Sequence, residues 1–217
     1  RKESSAASDV YKRQVMTIGT LGVYLGGKVI NSFSLTTPSY IDLRKTLSKY
    51  FAEIEVLVME VSSHALAQGR IGSLSFDQAG WTNLTQDHLD YHKTMEGYFQ
   101  AKKMIFNHLR PGGKVSLAET QNELIEKLKK RNIVSEKLLS IEGNSFFLMN
   151  YNLENLAIAM GVVTRLYPEL KFTKPELNKI TAPEGRFNII EFKKKKIIID
   201  YAHTPDGLLS ITREIKK

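Results

Sequence analysis

The 217-residue chain contains no cysteine, which excludes disulfides, thiolate metal sites and cysteine nucleophiles together. It also lacks any apolar run near the roughly 20 residues of a membrane-spanning helix, and no secretory signal opens it. A cytoplasmic protein with no membrane partner is therefore expected. A shortage of apolar residues is not among its features. Hydrophobic residues make up 42% and charged residues 25%, which excludes a disordered tail or a collagen-like repeat. A chain this long can bury roughly 70% of the surface its unfolded form exposes, so its core needs no staple.

Missing too is the charge pattern of a nucleic-acid groove. Thirty-one Lys plus Arg against 23 Asp plus Glu give a net charge of +8. The excess sits in residues 1–14 (+2), 110–140 (+3) and 191–217 (+3), while 15–109 and 141–190 are each neutral. Basic residues are not interleaved with aromatics along one surface, and no nucleic-acid partner is expected. Lys127, Lys129, Lys130 and Arg131 read as a helix face, and Lys193–Lys196 as the solvated turn of a hairpin.

Residues 1–14 (RKESSAASDVYKRQ) show no apolar period and read as a disordered or foreign segment. Beyond them, Val15–Leu25 reads as strand and turn, and Tyr40–Phe51 as a helix with Ile41, Leu43, Leu47 and Tyr50 on one side. Ile54–Val61 has the continuous apolar character of a parallel strand covered on both faces. A strand at Phe76–Leu84 and a helix at Met95–Leu109 follow, then a Pro111-Gly112-Gly113 turn and a strand at Lys114–Leu117. Further on are a helix at Glu119–Arg131, a strand at Lys137–Ile141, and helices at Asn152–Leu166 and Lys174–Ile180. Phe187–Phe192 and Lys195–Tyr201 read as paired strands around the lysine run, and Thr204 or Asp206 as the cap of a last helix. Strands alternating with helices predict an α/β fold, a mostly parallel sheet flanked by helices.

Chemistry-bearing residues fall in a few clusters. Glu60 ends an apolar strand, where α/β sheets present ligand groups, and in a low-dielectric pocket it would need a cation such as Mg²⁺. A solvent-exposed strand-end glutamate is the plainer alternative. Asp87, His88, Asp90 and His92 place two carboxylates and two imidazoles within six residues. That density suits either a loop around phosphate-bound Mg²⁺ or the metal cluster of a hydrolase. Lys102-Lys103 alone reads as a solvated helix face. Asn152 and Asn155, three apart on one helix, could recognise a base or ribose or could cap the helix. Asp200 ends the apolar run Ile197–Ile199, again at a sheet edge suited to ligands.

In this order and spacing the clusters resemble the Mur ligase family. The stretches MEVSSHALAQGRI, TNLTQDHLDYHKTMEGYFQAKKMIF, NLENLAIA and DYAHTPDGL carry the likeness, which extends over roughly Val15 to Leu209. It is strongest to the members that add the third amino acid to UDP-N-acetylmuramoyl-L-alanyl-D-glutamate. Folylpolyglutamate synthetase is a nearby alternative with the same ATP chemistry. The resemblance implies ATP-dependent amide-bond formation through an acyl phosphate, with meso-diaminopimelate or L-lysine as the incoming amine and Mg²⁺ as cofactor. It assigns Glu60, His88 and a carbamylated Lys102 to the metal and to catalysis. Thr36, Thr37, Ser62, Gln68 and Arg70 are assigned to the UDP-muramoyl substrate, and Asn83, Asn155, Arg186 and Asp200 to the nucleotide. A monomer is expected. The implied layout is a central ATP-binding domain over 15–185 and the start of a C-terminal Rossmann-like domain over 186–217. The family's Gly-rich phosphate loop has no counterpart in residues 1–14, which contain no glycine. The chain is therefore expected to be a fragment with no ligase activity alone.

Overall fold

The structure is a computed structural model that describes residues 13–128, 131–141, 147, 149–181, 185–193 and 195–215. The chain divides into two compact units: residues up to Leu74 with Asp90–Ile105, and Ser75–Leu89 with Phe106 onward.

The first unit is built on a four-stranded sheet of β1 (Val15–Gly19), β2 (Gly22–Leu25), β3 (Lys28–Asn31) and β4 (Val56–Met59), in the order β3-β2-β1-β4. The β1–β2–β3 meander is antiparallel and β4 joins β1 in parallel. The turn between β1 and β2 closes on Gly22, whose φ of 118° suits glycine alone. Val15, Met16, Ile18 and Val23 of this sheet are buried, Val15 on the opposite face from Met16 and Ile18, and Leu43 of α1 (Tyr40–Tyr50) is buried too. Ser39 starts α1 by accepting a hydrogen bond from the Asp42 N–H at 3.2 Å. Only part of the expected α1 face is buried. Leu43 and Thr46 point inward and Ile41 is exposed, because residues two apart lie about 200° apart around a helix. β4 was expected to be covered on both faces, but it lies at the edge of its sheet and is only half-buried. The short α2 (Ser63–Ala67) follows it, then α3 (Leu89–His92) and α4 (Met95–Lys103). Thr94 caps α4 through the Gly97 N–H, and its Tyr98, Phe99 and Ala101 are buried.

In the second unit β5 (Phe76–Gly80), β6 (Leu109–Ala118) and β7 (Ile133–Glu136) form a parallel sheet in that order. Pro111-Gly112-Gly113 does not end a turn before a new strand, as its composition predicts. It lies within β6 as a bulge, where the register jumps from Phe76↔Leu109 to Gln78↔Lys114 and Gly112 has a φ of 84°. The strand expected at Lys137–Ile141 lies earlier, at Ile133–Glu136, since pairing with Val115–Ala118 selects the first of two apolar stretches. α5 (Asn122–Lys127) is shorter than expected, and Lys129 and Lys130 lie outside the described residues. α6 (Asn150–Leu166) packs across β5 and β6, and Gly80 lets it approach so closely that a Cβ there would overlap Ile158.

Arg165, near the end of α6, ties this sheet together. Its guanidinium donates to Gln78 of β5 at 3.2 Å, to Ser116 of β6 and to the carboxylate of Glu136 of β7. One side chain thus bonds to every strand of the sheet. α7 (Lys174–Leu177), an antiparallel pair β8 (Asn188–Phe192) and β9 (Lys195–Ile199), and α8 (Pro205–Ile215) complete the unit. The expected hairpin and the Thr204 cap are both present, the cap accepting from the Gly207 N–H at 3.2 Å. Glu184 and Lys194 lie outside the described residues, as does the Asp206 side chain.

Candidate active site

A continuous hydrogen-bond network in the first unit joins most of the residues singled out for substrate. Its anchor is Thr37, fully buried at the foot of α1. The Thr37 hydroxyl donates to the Glu60 carbonyl at 2.8 Å and accepts from the Ser62 N–H at 3.0 Å. The Ser62 hydroxyl in turn accepts from the Ala65 N–H at 3.2 Å and so starts α2. The Thr37 carbonyl accepts from Arg70 Nη1 at 3.1 Å, and Arg70 Nε donates to Gln68 Oε1 at 2.7 Å. Gln68 Nε2 then donates to the Tyr91 hydroxyl at 3.2 Å.

The Glu60 side chain was expected in a low-dielectric pocket, but it is exposed. As the first residue past an edge strand, it has no neighbouring strand to cover it. Its position is nonetheless defined. Glu60 N–H donates to the Ile18 carbonyl at 2.8 Å, extending the β1–β4 ladder by one residue. The Thr20 hydroxyl holds Oε2 at 2.9 Å and contacts the Thr36 hydroxyl at 3.0 Å. The carboxylate lies against Gly19, where a Cβ would overlap it. Gly19 and Thr20 are site residues that sequence reasoning missed. The signal available was a glycine and a hydroxyl at the end of a parallel strand beside the one carrying Glu60.

Lys102 lies on α4 with its ammonium 5.1 Å from the centre of the Tyr98 ring. Tyr98 belongs to an aromatic group in which His92 lies 5.3 Å from Tyr98, 4.8 Å from Tyr91 and 5.2 Å from His64. His92 Nε2 is 2.9 Å from the Ser63 hydroxyl. This contact bears on the hydrolase alternative. Among the described residues no three His, Asp or Glu side chains gather as a metal-binding group. His88 has a left-handed backbone, with φ of 55°, a conformation costly for a residue with a side chain. Asp87 supports it by accepting from the His88 N–H at 2.7 Å, with its other oxygen 3.5 Å from Nε2.

The residues assigned to nucleotide all lie in the second unit. Asn83 follows β5 and its carbonyl accepts from the Trp81 indole at 2.9 Å. Asn155 is exposed on α6 while Asn152 is buried, so the two do not present equivalent faces; three residues along a helix leaves them about 60° apart. The Arg186 guanidinium stands 5.5 Å from the centre of the Tyr201 ring. Asp200 organises the turn after β9, accepting from the Phe187 N–H at 2.8 Å and the Ala202 N–H at 2.7 Å.

The donors fit Mg²⁺ in kind. Glu60 offers a hard, exposed carboxylate, and Lys102 would add oxygens once carbamylated, whereas its ammonium is a donor and cannot coordinate. Among the described residues no helix is long and apolar enough to cross a membrane.

Comparison with known proteins identifies the frame around this network. The model of the Mur ligase middle domain matches residues 4–158. UDP-N-acetylmuramoyl-L-alanyl-D-glutamate–2,6-diaminopimelate ligase of Fusobacterium nucleatum is 35% identical over 91% of the chain and 46% of its own length. The enzyme of the same name from Bacillus velezensis is 33% identical over 94% of the chain and 49% of its own length. A solved structure of a ligase of that name superposes with a TM-score of 0.69 at 21% identity, over the whole chain and 52% of its own length. The chain spans about half the length of the relatives it matches. With the family model covering most of its residues, the chain belongs to the Mur ligase family, whose middle domain it carries.

Proposed function

We propose that residues 15–185 form the central domain of an ATP-dependent ligase that adds the third amino acid, meso-diaminopimelate or L-lysine, to UDP-N-acetylmuramoyl-L-alanyl-D-glutamate. Residues 186–217 then begin the following domain. The network that gathers Thr20, Thr36, Thr37, Glu60, Ser62, Gln68 and Arg70 carries this reading, since it unites residues from three separate chain segments. The names of the relatives, and their identity of about one third, support the choice of substrate.

In this reaction the substrate carboxylate attacks the γ-phosphorus of ATP and releases ADP. The incoming amine then attacks the acyl phosphate, forming the amide and expelling phosphate. Two anions must approach each other in the first step. Bound Mg²⁺ would supply the charge neutralisation that this approach requires, held by Glu60, His88 and carbamylated Lys102. Thr20 and Gly19 keep the Glu60 carboxylate in one place. Thr37 acts through others: with its hydroxyl committed to Glu60 and Ser62, it positions the loop rather than touching substrate. Arg70 has two of its five N–H groups committed to Thr37 and Gln68 and presents the rest of its planar fork to a substrate anion. Asn83, Asn155, Arg186 and Asp200 serve the nucleotide, Asp200 facing the ribose hydroxyls from the turn after β9. The protein is read as a cytoplasmic monomer.

The reading is tested in a full-length ligase carrying these residues. Arg70→Ala should raise the KM for the UDP-muramoyl dipeptide by about tenfold with a smaller change in kcat. An unchanged KM would remove Arg70 from the substrate site.

A further inference from the structure

Much of the substrate network is carried by α2, and α2 is too short to hold its own shape. Five residues close little more than one turn, so such a helix needs support from outside itself. Ser62 at its start and Gln68 at its end are both assigned to the UDP-muramoyl substrate, and Arg70 follows two residues later. Thr37 supports one side, by accepting from the Ser62 N–H.

The other side rests on Tyr91 and His92. His92 Nε2 lies 2.9 Å from the hydroxyl of Ser63, the first residue of α2. The ring of His64, the next residue, lies 4.3 Å from Tyr91 and 5.2 Å from His92. At the far end of the helix the Tyr91 hydroxyl accepts from Gln68. The two contacts are not equivalent. Tyr91 is 40% exposed, whereas Ser63 is only 4% exposed. Water replaces a lost partner easily at an exposed hydroxyl and poorly at a buried one, so the His92–Ser63 bond is the firmer support.

His92 is itself held. Its ring stands edge-on to Tyr91 at 4.8 Å and lies 5.3 Å from Tyr98, a buried residue of α4. α4 packs against α2 and carries Lys102, whose ammonium lies 5.1 Å from the centre of the same Tyr98 ring. His92 thus stands between the helix that bears Lys102 and the helix that Ser62 begins. It belongs to the dense Asp–His cluster of the sequence, yet it has no place among the residues assigned to metal, substrate or nucleotide.

We propose that His92 is a positioning residue for the ligase substrate: through the Ser63 hydroxyl it fixes the start of α2, and with it Ser62. The assignment rests on the ligase reading given above and adds a residue to it. His92 acts through Ser63 and not on the reacting atoms. Loss of the bond would loosen the substrate residues on α2, while the residues assigned to the nucleotide lie in the other unit.

The test is steady-state kinetics of a full-length ligase carrying these residues, with the UDP-muramoyl dipeptide and ATP varied in turn. His92→Phe keeps a ring in the aromatic group and removes the hydrogen bond. Ser63→Ala removes the other partner at the loss of one oxygen. Each should raise the KM for the dipeptide about fivefold, the contribution of one hydrogen bond, and change the KM for ATP less than about twofold. The double variant should exceed the larger single effect by no more than about twofold, since both changes remove the same bond. His92→Gln, whose amide reaches the place of Nε2, should recover part of the loss. Should His92→Phe fail to fold, Ser63→Ala decides alone. An unchanged dipeptide KM in folded Ser63→Ala, a fall in kcat alone, or effects that multiply in the double variant would each overturn the proposal. Failure of the parent enzyme to form the amide would instead overturn the ligase reading, and this assignment with it.

Discussion

Thr37 and Glu60 are joined by a 2.8 Å hydrogen bond from a fully buried hydroxyl to a backbone carbonyl. The bond fastens the loop before α1 to the residue just past β4. The same hydroxyl accepts from Ser62, so one oxygen fixes both the strand end and the start of α2. A buried group in this position cannot be replaced by water without cost.

Thr37→Val keeps the shape of the side chain and removes the hydroxyl. It should destabilise the protein by about 1–3 kcal/mol, because the Glu60 carbonyl and Ser62 N–H lose their partner. Thr36→Val, which removes an exposed hydroxyl contact, should change stability by less than about 0.5 kcal/mol. Urea unfolding of both variants gives the comparison, and equal effects would argue against the Thr37 anchor.

Arg165→Ala should cost about 2–3 kcal/mol. It removes the group that bonds to all three strands of the parallel sheet and leaves the Glu136 carboxylate, largely buried, without its cation. The double variant Arg165→Met/Glu136→Gln should recover part of that loss. Denaturant unfolding should show the recovery as a return of the midpoint toward wild type.

How far the residues could be read in advance depended on how local their partners are. α6 and the β8–β9 hairpin were legible because their patterns repeat over neighbouring residues. The Pro111-Gly112-Gly113 bulge was not, since only pairing with β5, more than 30 residues away, keeps those residues in a strand. Arg165 was invisible for the same reason: its partners lie at positions 78, 116 and 136. In the candidate site, the resemblance to the Mur ligase family singled out Glu60, Thr36, Thr37, Ser62, Gln68 and Arg70, which the hydrogen-bond network joins. The exposure of Glu60 and its support by Gly19 and Thr20 follow from the place of β4 at a sheet edge, which no local pattern encodes.

Glu176 provides a pH-dependent prediction. Hydrogen bonds from the Thr173 N–H and then from its hydroxyl, each 2.8 Å, lower the Glu176 pKa below the ordinary glutamate value. A carboxyl with a depressed folded-state pKa stabilises the fold above its unfolded value, and that contribution disappears as pH falls through the folded value. Carbon-detected NMR should give a Glu176 midpoint below that of an unfolded peptide, and Thr173→Val should raise it. An unshifted midpoint would contradict the capping geometry.

Lys102→Ala in a full-length ligase should lose most activity, and short carboxylates such as acetate should restore part of it. Restoration follows if the lost group is a carbamate oxygen donor. A variant that keeps full activity would remove Lys102 from the metal site.

Product analysis tests the ligase chemistry most directly. A full-length ligase carrying these residues should be given UDP-N-acetylmuramoyl-L-alanyl-D-glutamate, ATP, Mg²⁺ and either meso-diaminopimelate or L-lysine. The prediction is that the tripeptide amide and ADP accumulate in equal amounts with one of the two amines, and that neither forms when the dipeptide substrate is withheld. Amide formation without ATP, or failure of both amines to yield an amide, would contradict it.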